Sequence, residues 1–590
     1  MRTGHVFSTA VLAALLLAMS CSGTSSLADA SGTPTDIAER SAPDVVALDT
    51  AVPDVTDVAL PDAVDATPPA DVPDSVQDLS PDVAPDGQVE LPDATEEDTV
   101  PQGLPFSDGP YGTKPFDTAG PFVLPTTHGK WDFEKEWGGG DFSYVFLFYA
   151  AGYDYSEQLW SSPVEDLLKK SPLNVHYFFL SYGATAQQDV EKLEARFTEA
   201  MGKIPEGLAL KWKDRLHFVI SPPQKLGNWV TDVVSETGYF AFCIDRRQKM
   251  REVGLLADIT SDSKGKMRHL AYEVERFNFE WDREEKLAAQ QDVTVVQLFN
   301  GETFAGNGFA EAELPSAKDL EQFDTLEVDL SMGCPSMLDG NCGDWDYLSY
   351  LFLCDKDNPD LCEVELARWI TAYKRQGRWV TDISPALVFL KNGGKMRFRY
   401  DASGQTYVVH MSLRFRNMGT GLKPISAIKL WGGGPFNQDY NTGKTPIAFT
   451  PPEGTKKAQI FAYITGHGFG NDLANCAEFC NHTHHFTLNG GKEFVKSHPE
   501  AGTATGCAAR VPEGVVPNQF GTWPFGRGGW CPGWDVAPFV ADVSTELVSG
   551  ENSIDYEALF FGKNYEPKPA PNPNGFGANI NMSSWLVFWG

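Results

Sequence analysis

Apolar runs alternate with segments of helical spacing between about residues 120 and 290. Three of the apolar runs have the length of strands that are buried on both faces: 144–149, 175–180 and 216–220. Apolar residues recur with the period of a helix in three other segments: 157–170, 186–201 and 267–281. This alternation predicts an α/β domain, and the segment 239–252 has the pattern of a β-hairpin near its end.

From about residue 292 onwards, short aromatic and β-branched segments alternate with turns rich in Gly, Pro and Asn. Five strand-like segments precede the turn at 417–421: 323–330, 348–354, 365–373, 395–401 and 407–415. Five more follow it: 425–431, 457–465, 484–488, 553–561 and 583–588. Short strands at such spacing are typical of all-β sandwiches, so we predict two successive jelly-roll sandwiches, at 292–418 and 422–590.

The N-terminal part of the chain is predicted to lie outside these domains. Residues 1–20 have the apolar centre of an export signal, and Cys21 follows at the position of a lipid-modified cysteine. The alternative is an ordinary cleaved signal, in which Cys21 is incidental. Residues 21–115 repeat Pro-Asp phrases and contain few aromatic residues, which predicts an extended, disordered tether.

Acidic residues are concentrated in this tether. Between Asp29 and Asp108 there are 20 acidic residues and one basic residue, which gives −19 of the chain's net charge of −33. The charge argues against nucleic acid as a partner, but it does not by itself indicate a basic one. No later segment is long and apolar enough to cross a bilayer, so a lipid on Cys21 is the expected membrane attachment.

The cysteines other than Cys21 and Cys243 fall into local pairs. In an exported chain such pairs predict disulfides, here Cys334 with Cys342, Cys354 with Cys362, Cys476 with Cys480, and Cys507 with Cys531. Zinc is the competing interpretation, but the chain contains no Cys-x-x-Cys and most of the pairs are widely spaced. Cys243 lies within a predicted strand and is expected to be a core residue.

Two of these cysteine loops carry acidic residues. Residues 342–346 read Cys-Gly-Asp-Trp-Asp, and residues 476–480 read Cys-Ala-Glu-Phe-Cys. A disulfide beside each acid would fix the position of Asp346 and of Glu478 without a helix or strand. Two rigidly held carboxylates suggest activation of water, and the alternative is that both acids only cap their loops.

The last 300 residues resemble the bacterial peptide-N-glycosidase F family, whose members cut N-linked glycans from asparagine. Four motifs carry the resemblance, in the family's order: 334–346, 368–373, 476–484 and 521–533. The resemblance implies two adjacent jelly rolls with the active site between them. It also implies that Asp346 is the principal catalytic acid, that Glu478 works with it, that Arg527 lies near the substrate, and that Asp401 is a third acid.

Three positions depart from the family pattern. Tyr347 stands where Arg is usual, Asp401 where Glu is usual, and a small residue near Ser403 where a Trp is usual, which puts sugar specificity and the level of activity in question. Trp345 and Trp530 are candidates for stacking against sugar rings, although core packing explains such residues equally well. Asp344 is a further substrate-site candidate, with a solvated loop acid as the alternative.

The segment 120–290 resembles a thioredoxin-like domain that lacks the family's Cys-x-x-Cys. Residues 152–156 read Gly-Tyr-Asp-Tyr-Ser at that position, and without a thiolate pair no dithiol exchange is expected. Such a domain would position or recruit another component.

The combined prediction is an exported glycoamidase that acts on N-glycosylated proteins or peptides. We expect a monomer without a cofactor or metal, held at the outer membrane or cell surface by its lipid or else secreted. One rival is a copper-dependent monooxygenase, because His482 and His484 share one face of a strand, whereas His410, His467 and His498 look scattered. The other rival is a glycan-binding surface protein without catalytic activity.

Overall fold

The structure is a computed structural model that describes residues 103–258, 260, 264–336, 340–402, 404–570 and 575–590. The predicted signal at 1–20, the lipidation site Cys21, most of the predicted tether and Ser403 lie outside these residues. The described chain contains a mixed α/β domain and two pairs of antiparallel sheets, which form two β-sandwiches.

The α/β domain is built on a five-stranded sheet. Its strands and those of two small ladders are β1 (Val123–Thr126), β2 (Gly129–Asp132), β3 (Ser143–Tyr149), β4 (Val175–Ser181), β5 (Leu216–Phe218), β6 (Ala241–Ile244), β7 (Met250–Glu252), β8 (Ala257–Asp258) and β9 (Lys264–Gly265). The sheet order is β5-β4-β3-β6-β7, in which β3, β4 and β5 are parallel and β6 and β7 are antiparallel to their neighbours. Strands β3 and β4 are almost continuously apolar because side chains pack on both faces of the sheet.

Helices cover both faces of this sheet. They are α1 (Asp154–Ser161), α2 (Val164–Lys170), α3 (Ala186–Met201), α4 (Glu206–Lys213), α5 (Trp229–Thr237) and α6 (Leu270–Ala288), with 3₁₀ turns at Pro223–Lys225 and Met267–His269. The single helix predicted at 157–170 is two helices, because Pro163 lacks an N–H and starts the second one. The helix predicted to end near 281 continues to Ala288.

Residues 103–115 were assigned to the tether but pack against the α/β domain. The Leu104 N–H donates a hydrogen bond to the Gly139 carbonyl at 2.7 Å. The Phe106 ring meets Phe133 and Trp137 edge-on, with centroids 5.3 and 6.2 Å apart. The predicted tether boundary at residue 115 is therefore too late, since the apolar Phe106 reaches the core.

The first sandwich pairs a four-stranded sheet with a five-stranded one. Its elements are β10 (Thr294–Phe304), β11 (Asn307–Ser316), α7 (Ala317–Leu320), β12 (Thr325–Gly333), β13 (Leu348–Leu353), β14 (Val364–Ile370), β15 (Gly377–Asp382), a 3₁₀ turn (Ser384–Ala386), α8 (Leu387–Leu390), β16 (Gly393–Asp401) and β17 (Tyr407–Arg416). One sheet has the order β10-β17-β12-β15, and the other begins β11-β16-β13-β14. Alternate residues of β12 are buried, as expected for a strand with one face on the core.

The second sandwich has two four-stranded sheets. Its elements are β18 (Pro424–Pro435), β19 (Ile447–Phe449), β20 (Lys457–Phe469), β21 (His482–Leu488), β22 (Glu493–Lys496), a 3₁₀ turn (Ala508–Glu513), β23 (Trp534–Asp535), β24 (Phe539–Asp542), a 3₁₀ turn (Ser544–Glu546), β25 (Asn552–Phe560) and β26 (Phe576–Trp589). The sheet orders are β18-β26-β20-β24 and β19-β25-β21-β22. The four predicted disulfides are all present, and Cys243 is a buried free thiol.

The two sandwiches are joined by a shared strand and a buried core. Strand β23, from the second half of the chain, pairs with β14 and completes the five-stranded sheet of the first sandwich. Arg368 on β14 is 2% exposed; its guanidinium binds Glu365 and donates to Thr465 Oγ1 at 2.7 Å and to the Asn581 carbonyl at 2.8 Å. These contacts fix one sandwich against the other and so set where their loops meet.

Helix α6 connects the α/β domain to both halves of the β region. Glu273 on this helix is fully buried, and its carboxylate accepts from Arg375 at 2.8 Å and from Asn518 at 2.9 Å. The Tyr272 ring meets Trp523 edge-on, with centroids 5.7 Å apart. Among the described residues, no helix has both the length and the apolar character needed to cross a membrane.

Candidate active site

Asp346 lies in a loop that precedes β13 and is held from several sides. The Cys334–Cys342 disulfide closes the first part of this loop, which ends four residues before Asp346. The side chain of Gln405 accepts from the Trp345 N–H and donates to the Trp345 carbonyl, both at 2.7 Å. Thr371 Oγ1 accepts from the Tyr347 N–H at 2.8 Å. These bonds fix the backbone on both sides of Asp346, so its carboxyl group projects from a rigid loop.

Glu478 lies between β20 and β21 in the second sandwich. The Cys476–Cys480 disulfide closes the loop that carries it. The Gly468 N–H, at the end of β20, donates to Glu478 Oε2 at 3.1 Å. Only 9% of the Glu478 side chain is exposed, so its carboxyl group is almost withdrawn from solvent.

Arg527 brings the two acids to one point. Its Nε lies 3.1 Å from Glu478 Oε1, an ion-pair distance without hydrogen-bond alignment, and its Nη2 lies 3.6 Å from Asp346 Oδ2. The guanidinium also donates to Thr522 Oγ1, and its Cζ lies 4.7 and 5.1 Å from the centroids of the Phe479 and Trp530 rings. Two acids from different sandwiches therefore lie beside two nitrogens of one buried guanidinium.

The surroundings give the two acids different proton affinities. Burial raises the pKa of Glu478 to about 7; the positive charge of Arg527 opposes this rise, and the negative charge of Asp346 adds to it. Burial also raises the pKa of Asp346, but Arg527 and a hydrogen bond from the Tyr373 hydroxyl oppose the rise. One carboxyl group can thus keep a proton near neutral pH while the other is ionised.

Comparison with known proteins finds a family match for the half of the chain that carries Glu478. Residues 435–587, which contain both Glu478 and Arg527, match the family model described as "Peptide-N-glycosidase F, C terminal". This part of the chain is therefore similar to the C-terminal domain of that family. The match confirms the resemblance inferred from the motifs.

Individual relatives in this family are distant in sequence. The chain is 22% identical over 271 residues to the peptide-N(4)-(N-acetyl-beta-D-glucosaminyl)asparagine amidase F of Elizabethkingia miricola, covering 42% of this chain and 71% of that protein. A crystal structure of a peptide-N(4)-(N-acetyl-beta-D-glucosaminyl)asparagine amidase is similar with a TM-score of 0.41 and 19% identity, over 51% of this chain and 96% of that one. The structure of PNGase F from Flavobacterium meningosepticum gives a TM-score of 0.39 at 19% identity, over 50% and 96% of the two chains.

Two predicted substrate-site residues are buried. Trp530 is 4% exposed, its indole N–H donates to the Gly466 carbonyl at 2.7 Å, and its ring stacks on His467. Its contact with a sugar stays a prediction. Arg527 is 1% exposed and lies beside the two acids, so its position is that of a residue that holds them in place. Its place near the substrate also stays a prediction.

Other predicted residues lie at the surface beside Asp346. Trp345 is 56% exposed and Tyr347 is 44% exposed, which leaves both rings open to a ligand. Asp344 is also exposed, and its carboxylate pairs with Lys374 Nζ at 3.3 Å. This group forms a rim of two aromatic rings and one ion pair around the acid.

The third predicted acid lies on a neighbouring strand. Asp401 ends β16, opposite Tyr350 of β13 and Asn307 of β11, and its carbonyl accepts from the Ser349 hydroxyl at 2.9 Å. Its participation in the chemistry stays a prediction.

Several residues that sequence reasoning did not single out support the site. The Tyr373 hydroxyl donates a hydrogen bond to the Asp346 carboxylate. The side chains of Gln405 and Thr371 hold the Asp346 loop, and the Thr522 hydroxyl accepts a hydrogen bond from Arg527. Tyr373 and Thr371 stand in the motif at 368–373, so their place in that motif was the available signal. No signal of spacing pointed to Gln405.

The prediction for one histidine is wrong. The sequence leaves His498 apart from the pair on β21, but it lies against His482 and His484, and one imidazole nitrogen of each lies within 4.8 Å of the other two. The error arose because β22 and a turn separate His498 from the motif in sequence, while the chain folds back over the same interior. Among the described residues, these three histidines form the group whose ring nitrogens are close enough together to bind a metal ion.

Proposed function

We propose that this protein is a glycoamidase, which hydrolyses the bond between an asparagine side chain and the innermost sugar of an N-linked glycan. The observation that carries the proposal is the position of Asp346 and Glu478, from two different sandwiches, on the single guanidinium of Arg527. The junction between two domains is also a common place for a ligand site. The substrates would be N-glycosylated proteins or peptides.

The proposed reaction divides the work between the two acids. The ionised Asp346 accepts a proton from a water molecule, whose oxygen then forms a bond to the side-chain carbonyl carbon of the substrate asparagine. Breaking the carbon–nitrogen bond requires a proton on the leaving glycosylamine, and Glu478 supplies it because its raised pKa keeps it protonated near neutral pH. The products are an aspartate side chain and a glycosylamine, which water converts to the free glycan and ammonia.

Arg527 has a positioning role in this scheme. Its positive charge keeps two carboxyl groups close together that would otherwise repel each other when ionised. The rings of Phe479 and Trp530 pack near the guanidinium and add cation–π contacts that help to hold it in place. Trp345 and Tyr347, exposed on the rim, are the proposed surfaces for the apolar face of a sugar.

The test is to treat a denatured N-glycoprotein with the enzyme and analyse the peptides by mass spectrometry. Hydrolysis at the amide converts asparagine to aspartate and adds roughly one dalton, whereas cleavage between sugars leaves a sugar on the asparagine. Asp346→Asn removes the base while keeping the shape of the side chain, so it should abolish product formation. Asp357→Asn is the matched control, since this exposed acid lies beyond the other end of β13, in the loop closed by Cys354–Cys362, and it should remain active.

Full activity of Asp346→Asn would refute its role as base. Release of glycans with a sugar left on the peptide would refute the amidase reaction itself. Binding of glycopeptides by the wild-type protein without turnover would instead support the rival function, a glycan-binding surface protein.

The copper-dependent monooxygenase is less well supported than the glycoamidase. Such an enzyme needs its metal to be accessible to oxygen and substrate. The three clustered histidines, His482, His484 and His498, are each 0% exposed, so the cluster does not open to solvent.

The proposal extends to the rest of the chain. We infer a thioredoxin-like fold for the α/β domain, because three parallel strands joined through helices are followed by an antiparallel hairpin and a final helix, α6. The two sandwiches are proposed to be jelly rolls. Export is supported by four disulfides, and attachment through a lipid on Cys21 is proposed from the sequence alone.

A further inference from the structure

Three histidines meet inside the second sandwich, away from the surface. His482 and His484 alternate inwards on β21, and His498 follows β22. The His482 and His498 rings lie 4.6 Å apart between centroids, and those of His482 and His484 lie 4.8 Å apart. Each of the three side chains is fully buried, so they share one enclosed space within the protein.

The hydrogen bonds of this cluster leave ring nitrogens without a role. His482 Nδ1 and His484 Nε2 are 2.9 Å apart, and the other nitrogen of His484, Nδ1, is 2.7 Å from the Tyr556 hydroxyl. Among the described residues, neither ring nitrogen of His498 has a hydrogen-bond partner. Buried polar nitrogens are rarely left unpaired in folded proteins, because the group loses its bonds to water and gains none in return. The unpaired nitrogens of His498 therefore point to a missing ligand.

We propose that His482, His484 and His498 bind one transition-metal ion of the kind that prefers imidazole, zinc or copper. Imidazole nitrogens bind such ions at about 2 Å, which puts two ligand nitrogens of a tetrahedral site about 3.4 Å apart. The nitrogens of the cluster lie within 4.8 Å of one another, with the closest pair at 2.9 Å, so modest side-chain rotations bring them to this spacing. This site is distinct from the acids of the proposed glycoamidase.

The surroundings of the cluster are those of a supported metal site. A histidine ligand is normally held by a hydrogen bond from its second nitrogen, and the Tyr556 hydroxyl does this for His484. Tyr556 in turn lies 3.1 Å from the Tyr440 hydroxyl. The His482 ring fits because Gly466 and Gly528 carry no side chain. A Cβ at Gly466 would lie 2.5 Å from His482 Nε2, and one at Gly528 would lie 2.8 Å from it.

The bound ion would brace the loops that carry the two acids. Gly528 directly follows Arg527, and its N–H donates to the Glu478 carbonyl at 2.7 Å. An ion on the three histidines would connect β21, which follows the Glu478 loop, to the segment around His498. The His498 N–H already donates a hydrogen bond to Asn481 Oδ1, just before β21, at 2.8 Å. Its expected function is therefore structural, as a crosslink behind the active site.

The experiment measures metal content and thermal unfolding of the full-length protein. After removal of metal with a chelator, the protein is dialysed against Zn²⁺, or against copper in its oxidised or reduced form, and bound metal is counted by mass spectrometry. We expect one ion per chain and a midpoint of unfolding several degrees above that of the metal-free protein. Cobalt(II) in place of the ion should give visible absorption bands of a nitrogen-coordinated tetrahedral site.

His498→Leu removes one ligand with an apolar side chain suited to the buried position, and should lose both the ion and the thermal shift. His485→Ala is the matched control, because His485 lies on the same strand but faces Glu493 on the other side, and it should keep both. Circular dichroism checks that each variant folds. The proposal is overturned if the wild-type protein binds no ion from any of these solutions, lacks the cobalt bands, or binds the ion equally well after His498→Leu.

Discussion

Replacing Glu478 by glutamine tests whether this carboxyl group holds a proton inside the folded protein. Its pKa rises from the ordinary value of 4.5 to about 7, because burial and the nearby Asp346 outweigh the attraction of Arg527. Each tenfold change in proton affinity corresponds to about 1.4 kcal/mol, so ionised Glu478 is about 3 kcal/mol less favourable in the folded protein than in the unfolded one.

The sign of the effect follows from the raised pKa. Below pH 4.5 the side chain is protonated in both states, and its contribution to the free energy of unfolding is complete. As the pH rises towards 7, the unfolded chain loses the proton first, so the folded protein loses stability; above pH 7 the loss levels off. Glu478→Gln has no such proton, so its stability should lack this decline, and the proposed glycoamidase activity should be lost.

The assay is the midpoint of thermal unfolding for both proteins from pH 4 to pH 9. For a domain of this size the midpoint moves by about 2–4 °C per kcal/mol, so a difference of about 3 kcal/mol corresponds to about 6–12 °C. The variant should be the more stable protein at high pH. Glu557→Gln on β25 is the control, since Glu557 is exposed and its replacement should not alter the pH dependence. Equal pH dependence of the wild type and Glu478→Gln would refute the buried, protonated carboxyl group.

Three further variants probe the surroundings of the acids. Tyr373→Phe removes a hydrogen bond that stabilises ionised Asp346, so the acid limb of the pH–rate profile should move to higher pH. The free energy of unfolding should fall by about 1 kcal/mol, and an unchanged pH–rate profile would contradict this role of Tyr373. Trp345→Ala should raise KM and leave the unfolding midpoint unchanged because the ring is 56% exposed, and an unchanged KM would exclude sugar stacking there. Arg375→Ala leaves Glu273 buried without its arginine partner, so the free energy of unfolding should fall by about 3–5 kcal/mol. A fall of less than about 1 kcal/mol, measured by calorimetry, would contradict the importance of this ion pair.

Much of the fold could be predicted from local pattern. The continuous apolar character of β3 and β4 and the helical spacing of α3 gave the α/β domain, because each pattern matches the burial of a single element. Errors occurred where a single residue interrupted a pattern or where a segment before the domain packed onto it. Pro163 divided a predicted helix, and Phe106 brought part of the predicted tether into the core.

The candidate site was predicted in part for the same reason. Asp346 and Glu478 stand beside cysteines that close short loops, so their importance was visible within a few residues of sequence. The role of Arg527 was not visible in this way. The resemblance placed it near the substrate, and only the structure shows that it is buried as the bridge between the two acids.

The sequence by itself determined the disulfide loops, the order of the domains and the two acids, since these depend on residues that are neighbours in the chain. Only the tertiary structure decided that β23 joins the sheet of the other sandwich, that Arg527 reaches both acids, and that His498 completes a cluster with His482 and His484. Those contacts join residues far apart in sequence. They depend on how whole sheets pack, and burial of apolar surface favours such packing without specifying it residue by residue.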